Sequence, residues 1–459
     1  MRDNIQSAEI ILRPPPGPID RVLIIGSWAK AQITIENIKR TSGAEVFAYT
    51  EIRNPGILRL ADEYRLGSLS DPAKMVDYAR SISADLVIVT TAAPLSLGVV
   101  NALEEVGIPV FGPNRSAARL ESDKSFAREL LRKHLPAAVP KFRVFREVET
   151  AVTYAESLDW RVAVKPTGLT EGLGFKVYGD QLEGGPEVAN YIELVLRKRI
   201  SGSGMVIVEE KLEGEEFTIQ SLVNGLDLIV TPAVQDFKRL LPGDRGPNTA
   251  SMGSYAAASS LLPFLEPKDY EQARGIIRKT LEAFRVETGG ECRGFLYGQF
   301  MLTRKGLKLI EYNFRPGDPE WLNTMAVMKD SILEVITDLM NGNLREPEFE
   351  KKASVCWYLV PPAYPREMNQ ILDVSFDEDK IRQQGASIYY SCGRDATGRL
   401  NVGSERGMAL VAIGETIAQA REKVEQAIGL VEGDFHCRND IGSEEQIALI
   451  MEHVRGIRR

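Results

Sequence analysis

The sequence of 459 residues lacks the features of a membrane, secreted or nucleic-acid-binding protein. No stretch approaches the ~18 consecutive apolar residues that a membrane helix needs, and the N-terminus has no apolar signal region. Basic residues do not outnumber acidic ones, and the net charge of −8 argues against a polyanionic partner. The chain is therefore expected to be cytoplasmic, with neither nucleic acid nor a membrane as its partner.

Cysteine and histidine are also scarce. The four cysteines are scattered without metal-ligand spacing, which predicts reduced thiols. No Ser-His or Cys-His pairing is indicated, so His134, His436 and His453 are interpreted as surface or helix-end residues. The remaining composition, 44% hydrophobic and 26% charged, is typical of a globular protein. At ~100–200 residues per domain, the length predicts two to four domains.

The first 113 residues alternate short buried strands with helical patterns. Strands are predicted at Arg21–Gly26, Asp85–Thr90 and Ile108–Gly112. Such alternation predicts an α/β domain with a parallel sheet that is covered on both faces.

The rest of the chain changes character twice. A helix from Leu120 leads into strands at Arg161–Lys165, Met205–Glu210, Thr218–Val223, Phe295–Leu302 and Leu307–Asn313. Short turns at Asn224-Gly225 and Lys305-Gly306 favour antiparallel neighbours. After a composition shift at Asn341–Lys352, a closing α+β domain is predicted from strands at Ser354–Val360, Ala386–Tyr390 and Met408–Ile413 and a helix at Glu415–Leu430.

The segment Leu309–Glu320 is the most informative part of the chain. Glu311 and Asn313 alternate on a predicted strand, so both side chains leave the same face of the sheet. A carboxylate and an amide oxygen are ligands of the kind that hold Mg²⁺ at nucleotide phosphates. Arg315 and Asp318 follow on a loop. The alternative is an edge strand that runs into a charged turn.

A glycine-rich loop follows another predicted strand. Lys165 stands at the strand end, and Gly168, Gly172 and Gly174 follow it. Backbone N–H groups in such a loop can line phosphates while the lysine supplies charge. A plain flexible turn is the alternative.

Two further segments are compatible with nucleotide binding. The acidic run Val208–Phe217 links two strands, where the backbone could meet an adenine edge and a glutamate could bind ribose hydroxyls. A solvated loop is the alternative there. Lys124 adds a second cation at a helix start, although a lone surface lysine would carry no meaning. Together with Glu311 and Asn313, these segments could form two lobes that close over ATP and Mg²⁺.

A collinear series of motifs identifies a family. The motifs are V-G-I-P-V-F-G-P, L-E-S-D-K-S-F, E-E-K-L-E-G-E-E-F, V-Q-D-F-K-R, G-P-N-T-A-S-M-G-S-Y, G-F-L-Y-G-Q-F-M, E-Y-N-F-R-P-G-D-P-E and R-N-D-I-G. From about Arg21 to the end, the chain resembles the ATP-grasp carboxylate–amine ligases, and among them the phosphoribosylamine–glycine ligase family. The resemblance implies an extension at 1–19, an N-terminal α/β domain at 20–113, a split ATP-grasp domain at 114–345 with a mobile lid at roughly 135–210, and a C-terminal α+β domain at 346–459.

The resemblance also implies roles for matching residues. Mg²⁺ (or Mn²⁺) would bind Glu311 and Asn313. The residues implied at ATP are Lys124, Lys165, Gly168, Gly172, Gly174, Glu209, Glu210, Lys211, Leu212 and Glu216. The residues implied at the reacting amino acid are Arg315, Asp318, Asp236, Lys238 and Arg239. The residues implied at the other substrate are Gly26, Ser27, Lys30, Asn248, Thr249, Ser251 and Met252.

The implied activity is an ADP-forming ligation of de novo purine synthesis. The carboxylate of glycine attacks the γ-phosphoryl group of ATP to give an acyl phosphate, and the amine of phosphoribosylamine then displaces phosphate. No covalent enzyme intermediate is needed, so catalysis rests on positioning and charge neutralisation. The partners implied are these small molecules, or another amino acid and amine, in a monomer or homodimer.

Several positions depart from the family motifs. Trp28 stands where the family has a residue without a side chain, and Ala92 replaces a carboxylate. In the glycine loop Leu173 replaces a lysine, and Glu171 adds a negative charge. These changes keep two alternatives open: a ligase for a different amine, and a weakly catalytic homologue that acts as a binding or scaffold subunit.

Overall fold

The computed structural model describes residues 15, 17–169, 174–200, 202–367, 369–403 and 406–459. Most of the predicted extension lies outside these ranges, as do Glu171, Gly172 and Leu173. Among the described helices, none is both long and apolar enough to cross a bilayer.

The N-terminal part is a parallel sheet buried on both faces. Its elements are β1 (Arg21–Ile25), α1 (Ala29–Thr41), β2 (Glu45–Thr50), α2 (Pro55–Leu60), β3 (Glu63–Leu66), α3 (Pro72–Ser81), β4 (Leu86–Val89), α4 (Ala92–Ser96), α5 (Val99–Glu105) and β5 (Val110–Phe111), with the strand order β3-β2-β1-β4-β5. Along β1, Val22 and Ile24 join one apolar cluster, whereas Leu23 and Ile25 join another. The continuous apolar run was therefore a valid signal of a parallel strand.

A small antiparallel sheet follows two helices and a 3-10 turn at Pro136–Ala138. The elements are α6 (Arg119–Ser122), α7 (Lys124–His134), β6 (Phe142–Phe145), α8 (Val148–Glu156), β7 (Val162–Pro166), β8 (Lys176–Val177), α9 (Gly185–Arg197) and β9 (Val206–Glu210). We call the sheet β6-β9-β7-β8 the lid sheet. Val164, Val208 and Ile192 belong to an apolar cluster that is separate from the main core. This separate core lies within the lid predicted at roughly 135–210, and the mobility of that lid stays a prediction.

The middle of the chain forms a larger antiparallel sheet. The elements are β10 (Gly214–Asn224), β11 (Asp227–Val230), β12 (Gln235–Asp236), β13 (Arg239–Leu241), β14 (Arg245–Asn248), β15 (Gly253–Ala256), α10 (Pro267–Thr288), β16 (Arg293–Thr303), β17 (Gly306–Asn313), α11 (Glu320–Ala326) and α12 (Ile332–Met340). We call β11-β10-β16-β17 the central sheet. Its hairpins turn at Gly225 and Gly306, where φ is +63° and +93°, values that favour glycine. The expected antiparallel pairing is present.

The C-terminal segment adds β18 (Ala353–Leu359), β19 (Gln370–Ser375), α13 (Glu378–Gln383), β20 (Ala386–Tyr390), β21 (Gly393–Arg394), β22 (Leu400–Val402), β23 (Met408–Gly414), α14 (Ile417–Ile428), β24 (Glu432–Asp434) and α15 (Glu444–Arg458). One sheet has the order β12-β15-β18-β23-β20, and the other has the order β21-β22-β19-β24. Two strands from the middle of the chain, β12 and β15, thus pair into the C-terminal sheet. The mixed α/β and α+β fold class predicted from the sequence is confirmed.

Candidate active site

A charged cleft lies between the lid sheet and the central sheet, and its wall is completed by N-terminal and C-terminal residues. Two adjoining cavities share Lys165, Lys238 and Glu311 in their lining. The predicted site residues that line these cavities are Lys30, Lys124, Lys165, Glu209, Glu210, Lys211, Leu212, Glu216, Asp236, Lys238, Thr249, Ser251, Glu311, Asn313, Arg315 and Asp318.

The proposed metal-binding pair lies at the end of β17. Glu311 and Asn313 both line the cleft, and the Asn313 amide donates to Glu311 Oε1 at 3.4 Å. A shift in register precedes them, because Gln299 pairs with Glu311 whereas Phe300 pairs with Leu309. Bulges of this kind re-aim side chains near sites.

These two oxygens form an open site rather than a closed metal cage. Among the described residues, no three histidine, cysteine, aspartate or glutamate side chains are grouped for metal binding. Mg²⁺ is commonly held by one or two protein oxygens while water and substrate phosphates complete its shell. Glu311 and Asn313 fit that arrangement.

Three lysines give the cleft its positive charge. Burial alone would raise the pKa of Glu311, but Lys124, Lys238 and Lys165 hold this pKa below its ordinary value. Lys124 begins α7, where the N-cap Asp123 accepts a hydrogen bond from Phe126 N at 3.0 Å. Burial lowers the pKa of Lys124, and Glu311 opposes that shift. An anion in the cleft would relieve the repulsion among these cations.

The glycine loop is described only at its two ends. Gly168 O accepts from Lys124 Nζ at 2.9 Å, and Gly174 O accepts from the Tyr191 hydroxyl at 2.7 Å. Gly172 lies outside the described residues. Contact of this loop with phosphates therefore stays a prediction.

Glu209 has its side chain inside the protein. Its carboxylate bonds Arg128 at 2.5 Å through Oε1 and Lys165 at 2.8 Å through Oε2. Burial would raise the pKa of Glu209, but Arg128 and Lys165 lower it to about 2. The Arg128 guanidinium also donates to Ile310 O on β17. Glu209 thus fixes Lys165 in place and ties the lid sheet to the central sheet through Arg128.

The segment after Glu209 lines the second cavity. Glu210 accepts from Lys141 N at 2.9 Å, and Lys211 Nζ donates to Tyr178 O at 2.7 Å. Leu212 and Glu216 lie on the wall of the same cavity. The placement is compatible with the predicted hinge at adenine and ribose, which stays a prediction.

Asp236 is the most unusual carboxylate of the cleft. Its Oδ2 lies 3.8 Å from Lys238 Nζ, and its Oδ1 is buried without a hydrogen-bond partner in the described structure. Burial raises the pKa of Asp236 to about 6, although Lys238 opposes the shift and Glu320 adds to it. Lys238 Nζ also lies 3.5 Å from Glu216 Oε2. A buried oxygen without a partner is costly, so Asp236 Oδ1 is available to accept a hydrogen bond from a bound group.

The loop after Asn313 is held from several directions. Glu121 accepts from Phe314 N at 2.8 Å and from Arg315 Nε at 3.2 Å. Lys30 Nζ donates to Pro316 O at 3.2 Å. Arg315 and Asp318 are therefore fixed in position rather than carried on a loose turn.

Comparison with known proteins identifies the family. A model described as the N domain of phosphoribosylglycinamide synthetase matches residues 20–121, and one for its ATP-grasp (A) domain matches residues 122–321. A phosphoribosylamine–glycine ligase from Methanopyrus kandleri is 40% identical over 445 residues, which is 95% of this chain and 99% of that protein.

The chain belongs to the phosphoribosylglycinamide synthetase family.

Solved structures agree with this assignment. The crystal structure of phosphoribosylamine–glycine ligase from Thermotoga maritima has a TM-score of 0.75 and 25% identity, and the match covers 92% of this chain and 100% of that one. A biotin carboxylase domain of 2-oxoglutarate carboxylase from Hydrogenobacter thermophilus has a TM-score of 0.70 and 16% identity, with 96% and 94% coverage. The second likeness shows the fold alone. The family predicted from the motifs is confirmed.

Gly26 and Ser27, which the resemblance places at substrate, serve packing. Ser27 is fully buried, and its hydroxyl accepts from Glu51 N at 2.8 Å and contacts Thr50 Oγ1 at 3.1 Å. A Cβ on Gly26 would lie 2.1 Å from Thr90 Oγ1. Neither residue is among those lining the two cavities, and their predicted contact with substrate remains untested.

Three residues of later family motifs also lie off the described cavity walls. Met252 is fully buried in the main core. Asn248 Oδ1 accepts from Gln181 at 3.0 Å and from Arg239 at 3.3 Å, and this links the β13–β14 hairpin to the lid segment. Arg239 and Asn248 thus lie at the edge of the lid, and a direct contact with substrate remains a prediction.

Several residues that line the cleft were not indicated by the sequence, among them Glu121, Tyr297 and Arg406. Glu121 lies within the L-E-S-D-K-S-F motif, and the motif was the signal that could have indicated it. Tyr297 donates to Glu320 Oε1 at 2.9 Å on the cleft wall. Arg406 also lines the cleft, but it lies far along the chain and no local motif points to it.

We predict that Glu209→Gln lowers the free energy of unfolding by about 3–5 kcal/mol, because Arg128 and Lys165 would lose a buried counter-charge. Glu213→Gln is the matched control, since its partner Arg161 is 55% exposed and Glu213 is 66% exposed. The control should change by at most about 1 kcal/mol in urea unfolding. Equal effects of the two substitutions would contradict this assignment.

The ion pairs of Glu209 also predict that stability depends on pH. The folded-state pKa of Glu209 is depressed to about 2 from an ordinary value of 4.5. Its contribution to stability is therefore complete above pH 4.5 and is lost as the pH falls toward 2. In Glu209→Gln, the free energy of unfolding measured in urea should lose this contribution to its decrease below pH 4.5.

Proposed function

We propose that this protein is an ADP-forming ligase that joins the carboxylate of glycine to the amine of phosphoribosylamine. The observation that carries the proposal is a single cleft in which Lys124, Lys165, Lys238 and Arg315 surround Glu311. The relatives from M. kandleri and T. maritima are phosphoribosylamine–glycine ligases, and this chain covers nearly all of their length.

The residues of the cleft fit ATP and a divalent cation. Glu311 and Asn313 would hold Mg²⁺ (or Mn²⁺), and the ion would supply charge to phosphate oxygens. Lys124 and Lys165 would neutralise the same phosphates, and the repulsion between the two lysines supports this role because it favours a bound anion. The fold neighbour from H. thermophilus was crystallised with MgADP, which supports this use of the fold.

The amino acid would lie between Arg315 and Asp318. An amino acid carries one positive and one negative group, and these two side chains have the complementary charges. Both line the cleft beside Glu311. Arg315 stays charged, because nearby carboxylates, Glu121 first, raise its pKa despite burial.

Two transfers follow from this arrangement. A carboxylate oxygen of glycine attacks the γ-phosphorus of ATP, and ADP leaves. The nitrogen of phosphoribosylamine then attacks the acyl carbon, phosphate leaves and the nitrogen loses a proton. Asp236 would accept that proton, and its Oδ1, which is buried without a described partner, supports this role.

We predict that the pH dependence of kcat/KM has an acid limb near pH 6, where Asp236 titrates in the free enzyme. Below this pH the carboxyl is protonated and cannot accept a proton, so activity falls. Asp236→Asn should have low activity at every pH and should lack this limb. An acid limb that survives in Asp236→Asn would assign it to another group.

The direct test is product formation. Purified protein with Mg²⁺-ATP, glycine and phosphoribosylamine generated in situ should release ADP and form glycinamide ribonucleotide, identified by mass. Glu311→Gln should lower kcat/KM at least about a hundred-fold, because the cation ligand loses its charge. Glu215→Gln is the control, since Glu215 contacts His453 and does not line the described cavities; it should stay within about twofold. ADP formation that is indifferent to Glu311→Gln would contradict the proposal.

A ligase for a different amine is the second candidate, and one observation favours it. Trp28, Thr91 and Ala92 line the same cleft, so the departures from the family motifs lie on its wall. In this second candidate the indole would restrict the acceptor end. A panel of amines, with each product identified by mass, separates the two candidates.

We predict that Trp28→Gly lowers kcat/KM for phosphoribosylamine roughly tenfold, because the acceptor loses an apolar contact. The KM values for ATP and glycine should stay within about twofold. A rise in kcat/KM would instead mean that the indole restricts the pocket, and it would favour the different amine.

A further inference from the structure

Asp318 receives donors from the C-terminal sheet. Arg406 lies 3.0 Å from Asp318 Oδ1, and the Tyr358 hydroxyl donates to the same oxygen at 2.5 Å. Arg406 also donates to Asp318 O at 2.9 Å and to Ser251 O at 3.1 Å. The side chains of Arg406 and Asp318 are only 3% and 7% exposed, so the ion pair is shielded from water.

The two donors support one another. The Arg406 guanidinium lies over the Tyr358 ring, 4.0 Å from its centroid. Tyr358 is on β18 and pairs with Ala409 of β23, which begins two residues after Arg406. Tyr358 is therefore positioned by its strand, and Arg406 is positioned by the short connection that leads into the neighbouring strand.

A chain of hydrogen bonds extends from this group to the N-terminal sheet domain. Since the Tyr358 proton is given to Asp318, the 2.9 Å contact between Tyr358 and Ser391 has the Ser391 hydroxyl as donor. Ser391 Oγ in turn accepts from Ala29 N at 3.4 Å. Ala29 is the first residue of α1, a helix whose N-cap Trp28 makes no side-chain cap bond. Ser391 therefore provides that cap from another part of the chain.

We propose that Arg406 and Tyr358 are positioning residues that orient the carboxylate of Asp318 toward the amino group of the amino-acid substrate. This inference rests on the proposed function, in which Asp318 receives that group. Neither residue needs to touch substrate for this role.

The two donors restrict rotation of the Asp318 carboxylate. A carboxylate on a loop can turn about its last torsion, which has a broad energy well. Two buried donors on Oδ1 remove that freedom and aim Oδ2 in a fixed direction. A misplacement of about 1 Å is enough to cost roughly a hundred-fold in a positioned reaction. The contribution should therefore appear in the use of the amino acid, and much less in the binding of ATP.

The test uses Tyr358→Phe and Arg406→Lys in steady-state assays with each substrate varied separately. Tyr358→Phe removes only the hydroxyl and keeps the ring beneath Arg406. Each variant should raise KM for glycine roughly ten- to a hundred-fold, the range for a hydrogen bond to a charged group. The KM for ATP should stay within about twofold, and kcat should fall less than kcat/KM for glycine.

Matched controls separate positioning from stability. Tyr390→Phe removes the hydroxyl of another buried tyrosine of the same sheet, one that donates to Glu378 at 2.6 Å and does not line the described cavities. Arg293→Lys changes a buried arginine that lies 3.8 Å from Glu104, away from those cavities. Both controls should leave KM for glycine within about twofold, whatever they do to thermal stability.

The outcomes are distinguishable from those of the proposed function. If the wild type forms glycinamide ribonucleotide and Tyr358→Phe leaves KM for glycine unchanged, this inference alone is overturned. An equal rise in the KM values for ATP and glycine would also overturn it, since that indicates general damage. If the wild type forms no such product, calorimetric titration with glycine decides: absent binding overturns both proposals, whereas binding that weakens in Tyr358→Phe supports the positioning role.

Discussion

The attachment of the segment from Phe314 to Asp318 is the constraint on which the cleft depends. Glu121 holds its beginning, Lys30 holds its middle, and Arg406 holds its end. Glu121 comes from α6, Lys30 from α1, and Arg406 from the connection that precedes β23. A short loop is thus bonded to distant parts of the sequence, so folding of the whole chain is needed before Arg315 and Asp318 can face one cavity.

Charge balance explains why the loop needs so many partners. The cleft collects several cations close to Glu311, and each must find a buried carboxylate or a ligand. Glu209 neutralises both Arg128 and Lys165. Each of its carboxylate oxygens has a buried cationic partner. Burial lowers the pKa of Lys124, because the nearby carboxylates do not fully compensate its charge. This side of the cleft therefore favours a bound anion.

Features that depend on residues close together in the sequence could be predicted from it. The two-residue spacing of Glu311 and Asn313 placed both on one strand face, as the structure has them. The sequence failed to indicate that the Glu209 side chain is directed inward, because an acidic run carries no information on which member finds a buried arginine. Arg406 gave no local signal, since its partner Asp318 is 88 residues away along the chain. Such pairs depend on strand pairing, which only the fold decides.

In the proposed function, the acceptor end and the amino-acid end of the cleft are connected by a chain of hydrogen bonds. Trp28 caps the start of α1 without bonding it, so the first helical N–H uses Ser391, and Ser391 bonds the tyrosine that orients Asp318. A substitution of Trp28 that shifts the start of α1 would displace Ser391. Because Ser391 bonds Tyr358, the orientation of the Asp318 carboxylate would then change as well. Substitutions in the proposed amine pocket are therefore tolerated only if Asp318 keeps its position at the amino acid. That coupling is a physical reason for Glu311, Arg315 and Asp318 to keep their places on the cleft wall while the acceptor loop diverges.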